Sequence, residues 1–260
     1  EPWLSDGTTA GTMQLRDITP GGGGSQVFEL ARAGSLVYFR ATSPATGYEL
    51  WRTDGTASGT VLADDIGPGQ LSSHPSYLVG GGDRLYFVAW DGATIDLFAR
   101  DPAGPARRLG TLRHAATTGL PRSQAPAGSS LVLAADDGAS GFEPWVSDGT
   151  PPGTRVLADL LPGVGGSGPE EFFSTGARAF FSACDATLGC EPWVTDGTPG
   201  GTSMVLDIAV GAASSAPESF ALLPDGRVAF AATGLEGREL WVSDGTAGGT
   251  RLLADVTPGS

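Results

Sequence analysis

The sequence contains no lysine, only two cysteines and two histidines, and no long apolar run. Its 15 basic residues are therefore all arginines, and they are outnumbered by 29 acidic residues, so the formal net charge is −14. This acidity argues against a general nucleic-acid-binding protein, because such a protein needs a basic face. A transmembrane helix needs about 18 or more consecutive apolar residues, so no transmembrane segment is expected in this chain.

The scarcity of histidine and cysteine also bears on metal sites and on redox state. A structural zinc site needs about four nitrogen or sulfur ligands, and His74 and His114 lie far from both cysteines, so no metal site and no cofactor are expected. Cys184 and Cys190 flank a short loop in the segment CDATLGC. This spacing predicts a disulfide and thus an oxidising compartment, whereas two free thiols would suit a cytosolic protein.

Glycine and proline are abundant, with 41 and 19 residues, and both are spread along the whole chain. A repeated motif accounts for much of this spread. Five copies read E-[LP]-W-x-[ST]-D-G-T-x-x-G-T, and one further copy, the third, has lost the tryptophan and one residue of the turn. The copies are 47 or 48 residues apart and begin at Glu1, Glu49, Asp96, Glu143, Glu191 and Glu239. A period of this length indicates a repeat architecture.

Each period holds four strand signals separated by turns. In residues 214–258 the strands are ESFALL, RVAFAA, RELWVS and RLLAD, and two of the turns contain Asp-Gly. Four strands in about 40–50 residues are typical of a β-propeller blade. The sequence therefore predicts an all-β, single-domain propeller over residues 1–260, built from four-stranded antiparallel blades. Connections between blades are expected at residues 20–25, 68–75, 162–169 and 210–217.

The first 21 residues carry only the third and fourth strands of a blade. Five full blades and this N-terminal half-blade are expected, with a six-bladed ring favoured and a five-bladed ring as the alternative. An open half-blade exposes the edge of a strand ladder, so another segment or molecule should cover it. Because Glu1 already lies inside a motif copy, any signal sequence is expected outside this chain.

Two motif copies carry a family resemblance. ELWRTDGTASGT at residues 49–60 and ELWVSDGTAGGT at residues 239–250 resemble the ELWxxDGT repeat of bacterial secreted and cell-surface proteins. The resemblance covers the whole chain through its five strong copies. It implies a propeller-like fold and an extracellular or cell-surface location, and it implies little about activity.

The motif residues themselves are expected to be architectural. A catalytic site needs one residue in each role, whereas the motif residues occur together five times along the chain. The motif tryptophans should pack between blades, with ligand stacking as the alternative. Asp54 and its equivalents should accept backbone hydrogen bonds two residues on, and the next glycine should adopt a positive φ. Calcium binding is the alternative for the acidic loop at residues 135–143.

The segment around the degenerate third copy departs most from the repeat. It is rich in arginine and follows a tryptophan outside the motif series, which could together dock a carboxylate, an acidic glycan or an acidic protein surface. The candidate binding residues are Trp90, Arg100, Arg107, Arg108 and Arg113. The alternative is that this arginine-rich segment lies on a solvent-exposed rim and binds no ligand.

These observations favour a non-enzymatic extracellular module that acts as a structural scaffold or as an interaction or adhesion domain. Its expected partners are another copy of itself, another surface protein or an acidic glycan. A glycan-binding lectin with repeated sites between blades is the second hypothesis, and a propeller hydrolase or lyase is the third. No Ser-His-Asp or Cys-His pair has a matching sequence context, so no catalytic residue is predicted.

Overall fold

The computed structural model describes residues 1–110, 124–136 and 138–256, and within these ranges it is built from short β-strands. The strands are β1 (Trp3–Leu4), β2 (Met13–Gln14), β3 (Phe28–Ala33), β4 (Leu36–Ser43), β5 (Gly47–Thr53), β6 (Val61–Asp64), β7 (Ser76–Gly81), β8 (Arg84–Trp90), β9 (Ile95–Arg100), β10 (Arg107–Gly110), β11 (Gln124–Ala127), β12 (Ser130–Ala135), β13 (Glu143–Ser147), β14 (Arg155–Val156), β15 (Glu170–Ser174), β16 (Ala179–Asp185), β17 (Gly189–Thr195), β18 (Ser203–Met204), β19 (Glu218–Leu222), β20 (Val228–Gly234), β21 (Gly237–Ser243) and β22 (Arg251–Ala254).

The described strands form five four-stranded antiparallel sheets and one two-stranded sheet. Strands β3–β6, β7–β10, β11–β14, β15–β18 and β19–β22 each make one complete sheet in chain order, and β1 pairs with β2 alone. The all-β class and the four-stranded units are confirmed. The predicted connections also hold, because residues 68–75 lie between β6 and β7 and residues 210–217 between β18 and β19.

One short segment differs from the expectation of an all-strand chain. A three-residue 3-10 helix, Pro199–Gly201, occupies the turn of the fifth motif copy. The ring of Pro199 fixes φ near the helical value, and the side chain of Thr198 accepts a hydrogen bond from the Gly201 amide. The turn is therefore tightened without disturbing the flanking strands.

No helix of a length and apolarity suited to crossing a membrane occurs in the part of the chain that the structure describes.

Contacts divide the chain into two compact units. The first holds β1–β10 together with turn residues 149–151, and the second holds β11–β22. Inside the first unit β3 contacts β7, and inside the second β11 contacts β15 and β15 contacts β19. Within each unit, the first strand of one complete sheet therefore lies beside the first strand of the next. The number of blades in a closed ring stays a prediction.

Each unit has its own apolar core, to which the first and middle strands of the sheets contribute. In the first unit, Phe87 stacks on Phe98 with ring centroids 5.5 Å apart. In the second unit, Phe172 stacks on Phe181 at 4.8 Å. Phe98 occupies the tryptophan position of the degenerate third motif copy and is buried. The third repeat therefore keeps its core although its motif has changed.

A repeated left-handed residue interrupts the first strand of four sheets. Glu29, Tyr77, Glu171 and Ser219 have φ values of 58°, 55°, 58° and 58°, and the strand register shifts at each position. Oε2 of Glu29 accepts a hydrogen bond from the Tyr77 amide at 3.1 Å, and Oε2 of Glu171 accepts one from the Ser219 amide at 3.2 Å. Neighbouring sheets are thus linked through the bulges themselves.

Candidate functional site

The motif turn is held together by its own polar side chains. Oδ1 of Asp54 accepts hydrogen bonds from the Thr56 amide at 2.9 Å and from the Thr56 hydroxyl at 2.7 Å. The hydroxyls of Thr53 and Thr60 pair across the turn at 2.8 Å. The same aspartate contacts recur at Asp6, Asp196 and Asp244. The prediction that the motif aspartates are turn residues is therefore confirmed.

These hydrogen bonds also change the pKa values of the turn aspartates. The hydroxyl and then the amide of Thr56 lower the pKa of Asp54, because both donate to the charged form. The equivalent threonines lower the pKa values of Asp6, Asp196 and Asp244 for the same reason. The motif aspartates therefore remain ionised to lower pH than a free side chain.

The motif requires glycine at two positions, for a different physical reason at each. Gly55 follows the aspartate and has a φ of +90°, a conformation that side chains disfavour. Gly59 instead leaves room for the aspartate, since a Cβ at this position would lie 2.0 Å from Oδ1 of Asp54. The same collision would arise at Gly11, Gly153, Gly201 and Gly249. The letters D-G-T-x-x-G-T thus encode one hydrogen-bonded turn.

The glutamate that begins each motif copy anchors the connection to the next sheet. Glu49 is fully buried, and its Oε1 accepts hydrogen bonds from the amides of Gly67 at 3.2 Å and Ser73 at 2.9 Å. Its Oε2 accepts from the Ile66 amide at 2.9 Å and from the Ser73 hydroxyl at 2.5 Å. Glu143 and Glu191 accept the same four hydrogen bonds from their own connections. We call this arrangement the glutamate anchor.

Sequence reasoning missed the glutamate anchor, although the sequence carries a signal for it. The serine that donates to Glu49 through both its amide and its hydroxyl lies 24 residues further on, and the same separation holds for Glu143 with Ser167 and for Glu191 with Ser215. Burial raises the pKa of Glu49, and the donated hydrogen bonds oppose that rise. The same balance raises the pKa of Glu191.

The third motif copy replaces the glutamate with Asp96, which is also fully buried. Its carboxylate is satisfied by a different set of donors. Oδ2 accepts from the Thr94 hydroxyl at 2.7 Å and lies 2.7 Å from Nε of Arg108, and Oδ1 accepts from Nη2 of Arg108 at 3.0 Å. An aspartate side chain is one methylene shorter than glutamate, and here an arginine on the adjacent strand reaches it.

The motif tryptophans of the complete sheets differ in burial. Trp51 and Trp193 are buried as predicted, and the Trp193 indole N–H donates to the carbonyl of Ala183 at 3.1 Å, whereas Trp145 and Trp241 are half-buried. Trp3 lies in β1 of the two-stranded sheet β1–β2, and 61% of its surface is exposed. A cleft of about 490 Å³ lies next to Trp3 and is lined mainly by apolar side chains, among them Leu15 and Leu30.

Arg100 is not available to a ligand, so its assignment to a basic binding patch is wrong. The side chain is buried, and its Nε lies 2.5 Å from Oδ2 of Asp64. Its Nη1 donates to the Tyr38 hydroxyl at 3.0 Å, and its guanidinium lies over the Tyr38 ring at 5.5 Å. A cation in this environment is kept buried by its partners and stabilises the junction between β6 and β9.

Among the described residues of the predicted patch, Arg107 and Arg108 are both paired within the fold. Arg107 lies 3.4 Å from Oδ2 of Asp101 and donates from Nε to the Gly149 carbonyl at 3.0 Å. Arg108 is bound to Asp96, as described above. Trp90 is half-buried at the end of β8, opposite Ile95, whereas both arginines lie on β10 beyond β9. Arg113 falls outside the described residues.

The cysteines and the described histidine do not form a nucleophilic pair. Cys184 and Cys190 are directly opposite each other in β16 and β17 and form the predicted disulfide, with Cα atoms 3.8 Å apart. His74 stacks on Tyr48 with ring centroids 5.0 Å apart. Burial, and secondarily the charge of Arg40, lowers the pKa of His74. In the acidic loop at residues 135–143, Oδ1 of Asp136 accepts from the Gly138 amide at 2.6 Å.

No family model and no curated protein matches the chain, so the resemblance to the ELWxxDGT repeat stays a prediction. Solved structures do match. A prolyl endopeptidase is 13% identical with a TM-score of 0.54, over 88% of this chain and 35% of the enzyme. Puromycin hydrolase is 19% identical with a TM-score of 0.48, over 88% and 40%. The gluconolactonase XC5397 from Xanthomonas campestris is 15% identical with a TM-score of 0.43, over 84% and 71%.

The likeness to the prolyl endopeptidase establishes the β-propeller fold and corrects one expectation. The chain spans about a third of the prolyl endopeptidase and two-fifths of puromycin hydrolase. Because a propeller of this kind forms part of a prolyl endopeptidase, the prediction of a non-enzymatic scaffold or adhesion domain is overturned. The reasoning behind it was that a repeated constellation is not catalytic. That argument applies to the motif residues alone. It does not exclude catalytic activity in a protein of which the propeller is one part.

Proposed function

We propose that this chain is the propeller part of a hydrolase that acts on peptides, and that it binds the substrate instead of supplying the nucleophile. The observation that carries the proposal is the fold shared with a prolyl endopeptidase over 88% of this chain. That likeness concerns the fold, and the peptide-directed activity of the neighbour is carried over as a hypothesis.

The chemistry of the described side chains supports a binding role. Both cysteines are consumed by the disulfide. Within the described ranges the histidine side chain, that of His74, rests on an aromatic ring and makes no hydrogen bond to an acid or a hydroxyl group. A general base for a serine nucleophile needs such a hydrogen bond, usually with a third group that orients the imidazole.

The disulfide supports a location outside the reducing cytoplasm. Disulfides persist mainly in oxidising compartments, so we propose that the hydrolase is secreted or lies at the cell surface. Titration of the unfolded, unreduced protein with a thiol reagent should find no free thiol. Two free thiols would contradict this location.

Binding and turnover can be tested separately with this chain. We would titrate the protein into fluorescently labelled, proline-containing peptides with blocked ends, follow fluorescence anisotropy, and analyse the same samples by chromatography for cleavage. Saturable binding without cleavage is the expected result. Cleavage by this chain alone would show that the nucleophile lies within it, and absence of saturable binding at millimolar protein would refute the proposed function.

A further inference from the structure

The first complete sheet carries a cation where the other complete sheets carry small or apolar residues. Arg40 on β4 lies opposite Leu50 on β5. The residues in the same register of the other four sheets are Val88, Ala134, Ser182 and Ala231. An arginine in this position is therefore not required by the repeat.

Arg40 lies among aromatic side chains. Its guanidinium carbon is 5.4 Å from the centroid of the Phe28 ring and 5.9 Å from that of Tyr48. His74 stacks on the Tyr48 ring, and the Tyr48 hydroxyl donates a hydrogen bond to the Gln26 side-chain oxygen. These side chains lie on β3, β4, β5 and the connections that flank them, all within the first unit.

Among the residues that the structure describes, no acidic side chain pairs with the guanidinium of Arg40. Its Nη1 donates to the carbonyl of Pro75 at 3.4 Å, and none of the described carboxylates lies within ion-pairing distance of it. Its Nε is buried without a hydrogen-bond partner. A half-buried cation with unused donors is costly unless something pairs with it. In a chain with 29 acidic residues, such a cation is conspicuous.

We propose that Arg40 binds the carboxylate of a ligand that also presents a flat apolar or aromatic group. The Nε and Nη2 atoms share one edge of the guanidinium, and two parallel hydrogen bonds from such an edge match the two oxygens of a carboxylate. Phe28, which is 49% exposed and lies over the guanidinium, moves aside to open Nε and then stacks on the apolar group. This site is independent of the peptide-binding role proposed above.

His74 provides an internal reporter of the site. Burial and, secondarily, the positive charge of Arg40 lower the pKa of His74. A bound carboxylate offsets that charge and therefore raises the pKa of His74. The chain has two histidines, and comparison with His74→Asn identifies the relevant imidazole signal in NMR spectra.

The test compares two probes of nearly the same size, one with a carboxylate and the other with a neutral carboxamide. N-acetylphenylalanine and N-acetylphenylalanine amide would be titrated into the protein while amide and imidazole signals are followed by NMR. We expect the acid to bind at least about tenfold more tightly than the amide, since removing the carboxylate removes both charge-assisted hydrogen bonds. We also expect the acid, and not the amide, to raise the pKa of His74.

Three variants make the outcome decisive. Arg40→Ser introduces the residue of the fourth complete sheet and should abolish the preference for the acid, while Arg40→Lys should keep the charge and lose most of the preference. Arg32→Ser is the matched control, because it removes an equal charge from the same sheet at a residue whose Nε bonds to the Gly34 carbonyl. If Arg40→Ser does not fold, the preference for the acid over the amide in Arg40→Lys still tests whether Arg40 binds the carboxylate.

Several results would overturn the proposal. Equal affinity for acid and amide would show that the carboxylate is not recognised. An unchanged preference in the Arg40 variants, or an equal loss in Arg32→Ser, would place recognition elsewhere. Binding of inorganic phosphate without binding of the acid would show that the edge recognises a different anion. An unchanged His74 pKa in folded Arg40→Ser would show that the two side chains do not interact.

Discussion

Replacing Glu49 with glutamine tests whether the glutamate anchor holds successive sheets in register. Each carboxylate oxygen accepts two hydrogen bonds, and all four partners are donors. In either orientation the glutamine NH2 group therefore faces at least one backbone N–H. A hydrogen bond to a charged group contributes about 1.5–3 kcal/mol, and two such bonds are lost, whereas glutamine avoids the cost of burying a charge.

We estimate a net loss of about 3 kcal/mol for Glu49→Gln. For a protein of this size, 1 kcal/mol corresponds to about 2–4 °C, so the midpoint of thermal unfolding should fall by about 6–12 °C. Urea unfolding at pH 7 would measure the free energy, and hydrogen exchange at the Ile66 and Ser73 amides would localise the effect to the anchored connection. The Ile66 amide should lose the most protection, because it donates to the replaced carboxylate, whereas the Ser73 amide also donates to the Tyr48 carbonyl at 3.0 Å.

Glu29→Gln is the control for this experiment. Glu29 lies on β3 of the same sheet, but it is exposed and accepts one hydrogen bond, from the Tyr77 amide at 3.1 Å. We expect its substitution to cost less than about 1 kcal/mol. Equal losses for the two variants, or unchanged protection of the Ile66 and Ser73 amides in Glu49→Gln, would refute the reasoning.

Three further predictions follow from the motif geometry. Trp193→Ala should cost about 3–5 kcal/mol in urea unfolding, and Trp3→Ala, at a position that is 61% exposed, less than about 1 kcal/mol; equal costs would contradict the assigned burial. Gly249→Ala should cost about 2 kcal/mol, because its Cβ would lie 2.1 Å from the turn carboxylate, whereas Gly248→Ala, which meets nothing within 4 Å, should be nearly neutral. Hydrogen bonds lower the folded-state pKa of Asp54, so its stabilising contribution is present above the unfolded value of 3.8 and is lost as the pH falls through the folded value. Urea unfolding between pH 2 and 6 should therefore show a weaker loss of stability on acidification in Asp54→Asn than in the unmodified protein.

The local structure of the motif could be predicted because the interactions that form it are local. Asp54 bonds to a threonine two residues away, and Gly55 adopts a positive φ within the same turn. Cys184 and Cys190 lie at the ends of adjoining strands joined by a tight loop, and the pairing of those strands brings the two thiols together. The spacing of such signals along the chain was enough to predict strands, turns and blades.

The candidate site was harder to predict because exposure and pairing depend on neighbouring strands. Arg100 was assigned to a binding patch from its place in an arginine-rich segment, yet Asp64 and Tyr38, which lie 36 and 62 residues away, bury and pair it. Nothing in the sequence singled out Arg40, whose guanidinium lies over the rings of Phe28 and Tyr48 in the structure. Sequence separation carries little information about such contacts.

The sequence by itself determined the motif turns and the strands, because these depend on side chains a few residues apart, and it determined the period, because the motif recurs every 47 or 48 residues. The tertiary structure alone decided what each copy of a residue does. Trp3 and Trp51 occupy the same place in nearly identical motifs, yet one is exposed beside a two-stranded sheet and the other is buried in a complete one. Glu29 and Tyr77 share a left-handed conformation that neither residue type favours, and it persists because the amide of the second bonds to the carboxylate of the first across adjacent sheets. The energy that fixes burial and backbone strain comes from packing between sheets, and that packing exists only once the sheets have assembled.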